Sequence, residues 1–346
     1  MSSRRALETS HSMSHGDRPE FDLHELIDEY GLGTVRNVFR VKGGTVNKNW
    51  IVRTAKKNVV VRSVSKELSR SDIKFEHSFI GALVRDGFPY LLPLPLRTRT
   101  GRTVVMKNGV YIWLYNYIEG SNSRPSREEV IAQIAHAMAM AHRAARRFSL
   151  PQVKKSPIAL QDLWLVHMLR HWQLKLCGSS DGCCRFFGAR VQECIGILEQ
   201  LRCTDYDRLP CLPIHGDMCR ANVVFSGGRL TGIIDFGHCC SDAAIRDITI
   251  ALRYECASKE HSFKLDLEAA RHFVRVYRKV NPLSPEEIDL IPAIAVAESV
   301  DLFWWGVFQI ASQRTKTASI DTVEHPFKSL QWYNRHQEEI ARALRM

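Results

Sequence analysis

The sequence predicts an α+β fold of two lobes, a β-rich N-terminal lobe and a mainly helical C-terminal lobe that carries a small β island. Strand-like runs rich in β-branched and aromatic residues are concentrated in the first 120 of 346 residues. The composition then shifts at a Gly-, Ser- and Pro-containing stretch, residues 120–126, which is the best linker candidate. Beyond it, apolar residues recur at helical spacing except over residues 211–236. We therefore expect a disordered tail over 1–18, an N-lobe over 19–119 and a C-lobe over 120–346.

The N-lobe elements follow from local signals. A short helix starts near Pro19, which suits a first helical turn, and ends at Gly31 and Gly33. Alternating or β-branched runs predict strands over 34–41, 49–54 and 58–64. A helix is expected over 69–86, before Gly87. Two further strands, over 103–107 and 110–118, are joined by Asn108-Gly109, a strong hairpin signal.

The C-lobe pattern predicts helices over 128–148, 160–176 and 189–201, then the β island at 211–236, then helices from 242 to the end. The first of these helices is rich in Ala and Met at spacings of three and four. No internal repeat interrupts the pattern.

The composition is that of an ordinary soluble globular protein, with 45% hydrophobic and 25% charged residues. Uninterrupted apolar runs stay short of the roughly 18 residues of a membrane span, and the first residues lack the apolar stretch of a secretory signal. We therefore expect a cytoplasmic protein that does not enter a membrane. The net charge of +11 suits anionic partners, although charge spread over the surface for solubility explains it equally well. Because no nucleic-acid-binding motif is recognisable, we expect no nucleic-acid partner.

The ten cysteines contain no Cys-x-x-Cys pair, so the spacing typical of a zinc site is absent. Adjacent pairs at 183–184 and 239–240 suit disulfides poorly, which favours reduced thiols. His238 beside Cys239 is a weaker candidate for a metal ligand than for a packed thiol next to a loop histidine.

The β island contains the residues with the clearest chemistry. Asp217 and Asn222 lie five residues apart after a strand-like run, and Asp235 ends a second apolar strand. Phosphoryl transfer requires a carboxylate that orients the attacking hydroxyl and accepts its proton, and oxygen ligands that hold Mg²⁺ against the phosphates. If the two strands pair, Asn222 and Asp235 come together. The spacing therefore favours phosphoryl transfer over a structural hairpin.

The motifs His215-Gly216-Asp217-x₄-Asn222 and Ile234-Asp235-Phe236, followed by Asp247, resemble the aminoglycoside phosphotransferase/choline kinase superfamily. These are small-molecule kinases with a protein-kinase-like fold. The resemblance covers most of the chain and is specific over residues 214–250. Residues 217–225 are similar to type II homoserine kinases, which also tend to carry an Arg at the position of Arg220. The resemblance implies that Asp217 is the catalytic base, that Asn222 and Asp235 hold Mg²⁺, and that His215 and Asp247 are structural.

The same resemblance implies ATP as cofactor and suggests its binding residues. Gly44 lies in a Gly-Gly loop between two strands, where a phosphate-covering loop is expected, although such a loop is also a common hairpin. Arg62 on the third strand is the candidate phosphate cation, with Glu76 as its partner; Lys57 and Lys66 are rivals. Tyr117 and Ile118 lie at the expected hinge between the lobes, next to adenine. A strand followed by a plain linker would look the same.

Candidate acceptor residues are Arg220, Glu298, Asp301 and Trp305. The last three share one helical face, where carboxylates beside a tryptophan can bind an ammonium group; a half-buried helix with its acids toward solvent explains the pattern equally. We expect ATP- and Mg²⁺-dependent phosphorylation of a small hydroxylated metabolite such as homoserine. An antibiotic phosphotransferase and a catalytically silent pseudokinase scaffold are the alternatives. Preference for ATP over GTP and the oligomeric state stay open.

Overall fold

The computed structural model describes residues 19–41, 47–64, 69–120, 125–150, 154, 164–201, 204–312 and 319–346. The predicted tail over 1–18 and the Gly44 loop lie outside these ranges. The described chain comprises a five-stranded antiparallel sheet near the N-terminus and a mainly helical remainder with two small two-stranded sheets. The predicted fold class is therefore confirmed, while the division near residue 120 stays a prediction.

The N-terminal sheet has the strand order β1-β2-β3-β5-β4, and every neighbouring pair is antiparallel. Helix α1 covers one face, with Leu26 and Ile27 fully buried beside Trp50. Helix α2 follows β3 and starts at the side-chain cap of Ser69, which accepts the amide of Asp72. The elements are α1 (Leu23–Glu29), β1 (Val35–Val41), β2 (Lys48–Thr54), β3 (Asn58–Val64), α2 (Arg70–Arg85), β4 (Val105–Lys107) and β5 (Val110–Asn116).

The β island consists of two antiparallel strand pairs, and the segment carrying Asp217 runs from the first pair to the second. Strands β6 and β9 pair antiparallel with Ile214 opposite Cys240, and β7 pairs with β8 with Val223 opposite Ile233. The segment between β6 and β7 therefore emerges beside the end of β8. The strands are β6 (Cys211–Ile214), β7 (Val223–Ser226), β8 (Arg229–Ile233) and β9 (Cys240–Ala243).

The helices of the C-terminal part pack around α9, whose middle is buried on all sides. They are α3 (Arg127–Ala145), α4 (Trp164–Lys175), α5 (Gly182–Gly188), α6 (Val191–Leu201), α7 (Ala244–Glu255), α8 (Leu267–Arg278), α9 (Pro285–Ala311), α10 (Asp321–Arg335) and α11 (Gln337–Arg345). By length and composition alone α9 is able to cross a membrane, but 78% of its most apolar window is buried inside the protein. Its environment is therefore that of a core helix.

The island and α2 share one apolar core. Phe79 of α2 contacts Phe236, which directly follows Asp235, with ring centroids 5.8 Å apart. Leu91 forms a parallel bridge with Gly232 of β8, and the Ile233 amide donates to the Leu91 carbonyl at 2.9 Å. These contacts fix α2 and the chain that follows it against the segment that carries the motifs.

The cysteines in the described part of the chain are all free. Most are buried in the helical core or the β island, whereas Cys177 and Cys211 are exposed. Burial raises the pKa of Cys194 to about 12. This agrees with the prediction of reduced thiols.

Candidate active site

The loop between β6 and β7 places Asp217 next to Asn222. The Asn222 side-chain nitrogen Nδ2 donates to the Asp217 carbonyl oxygen at 2.8 Å and to its carboxylate Oδ2 at 2.7 Å. Both bonds use the nitrogen, so the amide oxygen of Asn222 is directed away from Asp217. The five-residue spacing seen in the sequence thus closes into a direct contact between the two side chains.

The loop requires glycine before Asp217. Gly216 has φ of 78°, and a Cβ at this position would lie 2.1 Å from the carbonyl oxygen of His238. Only glycine combines this left-handed conformation with so close a backbone approach. Gly232 of β8 is also closely packed, since a Cβ there would lie 2.8 Å from the side chain of Ile118.

Asp247 and two buried histidines, His142 and His215, form a hydrogen-bond network that supports the loop. The Asp247 carboxylate accepts the amides of His215 at 2.8 Å and Gly216 at 2.7 Å, and His142 Nε2 at 3.0 Å. Burial opposes ionisation of Asp247, yet these donors hold its pKa below the ordinary value. His215 donates from Nε2 to the Ile234 carbonyl and accepts the Asp217 amide at Nδ1. His142, Asp247 and His215 therefore all contribute to the shape of the loop.

Asp235 leaves the end of β8 in a left-handed conformation, with φ of 61° and ψ of 64°. The neighbouring Ile234 amide donates to the Asn222 carbonyl at 2.8 Å, so the segment just after β8 lies against the residue just before β7. Burial opposes the charge of Asp235, but Arg62 and nearby histidines hold its pKa below the ordinary value. Its carboxylate is therefore ionised at neutral pH.

Arg62 of β3 joins Asp235 to Glu76 of α2. Its Nη1 lies 3.1 Å from Asp235 Oδ1 and 3.8 Å from Glu76 Oε1, and its guanidinium lies 5.3 Å from the centre of the Trp113 ring. Arg62 and Glu76 are almost completely buried. Arg62 Nε and Nη2 have no hydrogen-bond partner among the residues that the structure describes. Among the rival cations, Lys57 instead bonds Asn116, and Lys66 lies outside the described residues.

Asp217 itself is partly buried, which raises its pKa to about 6. The negative charges of Asp235, Asp247 and Glu298 act in the same direction, while the Asn222 hydrogen bond opposes them. A carboxylate with such a pKa is ionised at pH 7 and still basic enough to accept a proton from a hydroxyl that reacts.

The donor set at Asn222 and Asp235 fits Mg²⁺. One carboxylate and one amide oxygen are hard oxygen ligands, and Mg²⁺ commonly takes one or two protein ligands together with water and phosphate oxygens. Over the described ranges no group of three or more His, Cys, Asp or Glu side chains is arranged to hold a metal. Cys239 is completely buried, whereas His238 is exposed.

The hinge candidates Tyr117 and Ile118 follow β5. The Tyr117 amide donates to the Asn58 carbonyl at 3.1 Å, so it continues the sheet. Ile118 packs against Gly232 of β8. The contact of Tyr117 and Ile118 with a nucleotide base stays a prediction.

The predicted acceptor residues on α9 are in three different environments. Glu298 is buried and accepts Arg246 Nε at 2.7 Å, so it neither faces solvent nor offers an unbalanced charge to a cationic ligand. Asp301 is partly exposed; burial, with Glu298 nearby, raises its pKa to about 7. Trp305 is partly buried and stacks on Phe308 at 5.3 Å. Asp301 is thus the stronger candidate of the two carboxylates.

The buried Arg246 network was not predicted from the sequence. Arg246 also lies 3.7 Å from Asp242, which accepts the Tyr206 hydroxyl. In the sequence, Arg246 stands out only by its position before Asp247. Its partner Glu298 lies 52 residues further along the chain.

Glu255 and Lys154 were also missed. Glu255 Oε1 accepts the amide of Arg220 at 2.6 Å, while the Arg220 side chain is exposed. Lys154 Nζ donates to the Gly237 carbonyl at 3.0 Å, just beyond Asp235. Neither residue lies in a recognisable motif.

Comparisons with known proteins agree with this geometry. The sequence profile of the phosphotransferase enzyme family (APH) matches residues 38–283. Among curated relatives, homoserine kinase of Bartonella henselae is 27% identical over 81% of this chain and 83% of its own length. Homoserine kinase of Methylorubrum populi is 29% identical over 79% and 80%.

Solved structures share the fold at lower identity. A microcompartment-associated aminopropanol kinase aligns with a TM-score of 0.66 and 14% identity, over 92% of this chain and 97% of its own. A choline kinase from Streptococcus pneumoniae aligns with a TM-score of 0.59 and 16% identity, over 91% and 97%. Because the family profile spans most of the sequence and includes the Asp217, Asn222 and Asp235 motifs, the chain belongs to the phosphotransferase enzyme family and is a small-molecule kinase of the aminoglycoside phosphotransferase/choline kinase group.

Proposed function

We propose that the protein transfers the γ-phosphoryl group of ATP, with Mg²⁺, to the hydroxyl of a small amino alcohol or hydroxy amino acid, with homoserine the first candidate. The observation that carries this proposal is the contact between Asp217 and Asn222, next to Asp235 and its partner Arg62. The set combines a base, two metal ligands and a phosphate-binding cation in one place. The similarity to homoserine kinases supports the choice of acceptor.

In the proposed reaction the acceptor oxygen attacks the γ-phosphorus, and its proton passes to the Asp217 carboxylate. The bond between the γ-phosphorus and the β–γ bridging oxygen breaks, which releases ADP. Bound Mg²⁺, held by Asn222 and Asp235, would neutralise phosphate charge. Arg62 contributes a fixed positive charge that stays ionised when buried, and Glu76 keeps it in position.

The acceptor is proposed to bind between Asp301 and Arg220. An amino acid carries an ammonium and a carboxylate group, and these two side chains offer the complementary charges at partly or fully exposed positions. Glu298 is expected to act through Arg246 and to form no direct contact with the acceptor. The cytoplasm is the expected compartment, in keeping with the free thiols.

The test is an ADP-release assay with Mg²⁺ and ATP over homoserine, choline, ethanolamine, hydroxylysine, methylthioribose and kanamycin. We expect the highest kcat/KM with homoserine or another small amino alcohol. Asp301→Asn should raise the KM of that acceptor about tenfold or more and leave the KM of ATP within about threefold, since it removes one charge-assisted contact. Kanamycin as the best acceptor would instead identify an antibiotic phosphotransferase.

A further inference from the structure

The loop that carries Asp217 is bonded on both sides by carboxylates of a single helix. Asp247, in the first turn of α7, accepts the amides just before Asp217. Glu255, the last residue of α7, accepts the amide of Arg220 at 2.6 Å, three residues after Asp217. Asp247 and Glu255 thus hold the backbone on both sides of Asp217.

The Arg220 amide begins the short 3-10 turn over residues 220–222. The first amides of such a turn lack partners within the turn, and Glu255 supplies one. The same turn ends at Asn222, whose amide donates to the Cys219 carbonyl at 2.9 Å and whose side chain binds Asp217. The Glu255 contact therefore fixes the start of the turn that directs Asn222 toward the reacting carboxylate.

Glu255 is only 8% exposed, and burial raises its pKa. The Arg220 amide, with the charges of Arg220 and Arg127, opposes that effect. A buried carboxylate is stable only where hydrogen bonds or opposite charges compensate for lost water. The Glu255 carboxylate can therefore stay buried next to the loop only because the Arg220 amide and these positive charges compensate for the lost water.

The backbone around Glu255 is held by Arg127, the first residue of α3. Arg127 donates from Nε to the Glu255 carbonyl at 3.0 Å and from Nη2 to the Ala257 carbonyl at 2.6 Å, and its Nη1 pairs with Asp266 at 3.0 Å. A planar guanidinium that bonds three acceptors allows little movement. Glu255 is therefore anchored on a rigid corner between α3, α7 and α8.

We propose that Glu255 is a positioning residue for phosphoryl transfer: its carboxylate oxygen holds the Arg220 amide and thereby keeps Asn222 and Asp217 in the reacting arrangement. The inference rests on the proposed function in assigning Asp217 as the base. It also gives Arg220 two separate roles: its backbone amide anchors the loop, and its side chain stays available to the acceptor.

Two substitutions separate position from charge. Glu255→Gln keeps an acceptor oxygen at the same distance but loses the charge; Glu255→Asp keeps the charge but is one methylene too short to reach the amide. We expect Gln to keep kcat within about threefold and Asp to lower it about tenfold or more, with the KM of the acceptor within about threefold in both. Glu260→Gln, on an exposed loop, is the matched control. The opposite order of Gln and Asp, or an unchanged kcat in a folded Asp variant, overturns the proposal.

Hydrogen exchange tests the same contact without any acceptor. In Glu255→Asp the Arg220 amide should lose protection about tenfold or more, while peptides from α6 and α10 keep theirs and Glu255→Gln resembles the wild type. If the wild-type protein phosphorylates none of the compounds, the proposed function fails although this contact can still be verified. If activity is found but protection at Arg220 is the same in all variants, the positioning role fails and the kinase function stands.

Discussion

At the scale of single residues, the environment of Asp217 sets it apart from the other carboxylates around it. Asp235 and Asp247 are held ionised by cations or amides, whereas burial and neighbouring negative charges raise the pKa of Asp217. Pairs of carboxylates with opposite shifts often mark separate roles in a reaction. Here the shifts separate Asp217, the proposed proton acceptor, from Asp235 and Asp247, which we propose bind the metal and support the loop.

Asp217→Asn should lower kcat at least about 100-fold, because the amide cannot accept the hydroxyl proton. Nucleotide binding should stay within about threefold, since Asp217 is assigned to the acceptor and not to ATP. Single-turnover kinetics and nucleotide titration by calorimetry measure the two effects separately. A variant whose kcat stays within threefold of the wild type would refute the base assignment.

The pH dependence should follow the same residue. With a pKa of about 6, Asp217 is protonated and inactive as a base below that value, so kcat at saturating acceptor should rise as pH increases through about 6 and then level off. The profile is measured between pH 5 and 8 at constant ionic strength. A flat acidic limb would show that proton transfer to Asp217 does not limit the reaction.

At the scale of secondary-structure elements, the loop after β6 depends on a backbone shape that only glycine adopts there. Gly216→Ala should destabilise the fold by more than about 2 kcal/mol, since it adds left-handed strain to an overlap with the His238 carbonyl. Gly196→Ala in α6 is the control: nothing lies near its added methyl group, and alanine favours the helix. Urea unfolding compares the two, and equal stability would contradict the assigned strain.

The sequence predicted elements well where local chemistry determines them. The β-branched run at 58–64 coincides with β3, and the helix expected over 69–86 is α2, over Arg70–Arg85. Helix α5 was missed because Gly182–Gly188 carries no helical apolar repeat; it forms because Asp181 caps it and Phe187 is buried in the core. The predicted strand over 110–118 ends earlier, at Asn116.

The site was predictable to the extent that its residues are close in sequence. Asp217 and Asn222 lie in one loop, and the pairing of β7 with β8 brings Asp235 near them. The partners of Glu298 and Arg220 were not predictable, because they depend on how α7 packs against α9 and the loop. Such contacts between distant segments leave no periodic signal in one sequence.

At the scale of the whole molecule, Asp301 couples stability to pH. Its pKa is raised in the folded state, from about 3.9 in the unfolded chain to about 7, so the folded protein binds more protons between these values. By linkage its contribution to stability is complete below about pH 4 and declines as pH rises toward 7. The carboxylate is therefore least compatible with the fold in neutral and alkaline solution.

Asp301→Asn should abolish this dependence and gain stability relative to the wild type as pH rises from 5 to 8. We expect the free energy of unfolding to rise by about 1–2 kcal/mol relative to the wild type over this range. A carboxylate fully shielded from water would give about 1.4 kcal/mol for each unit of pKa shift, and the expected total is smaller because water reaches Asp301. Urea unfolding at several pH values measures the difference, with Glu260→Gln as the control. A difference that is constant with pH would contradict the raised pKa.

The buried free thiols can be used to measure local unfolding of the molecule. Thiol reagents attack the thiolate, and burial keeps Cys194, Cys239 and Cys256 both protonated and out of reach. Cys194 belongs to α6, Cys239 lies beside β9, and Cys256 follows α7, so each reports on a different part of the core. The rate at which each thiol is alkylated in the native protein therefore measures how often its own region unfolds, without any introduced probe.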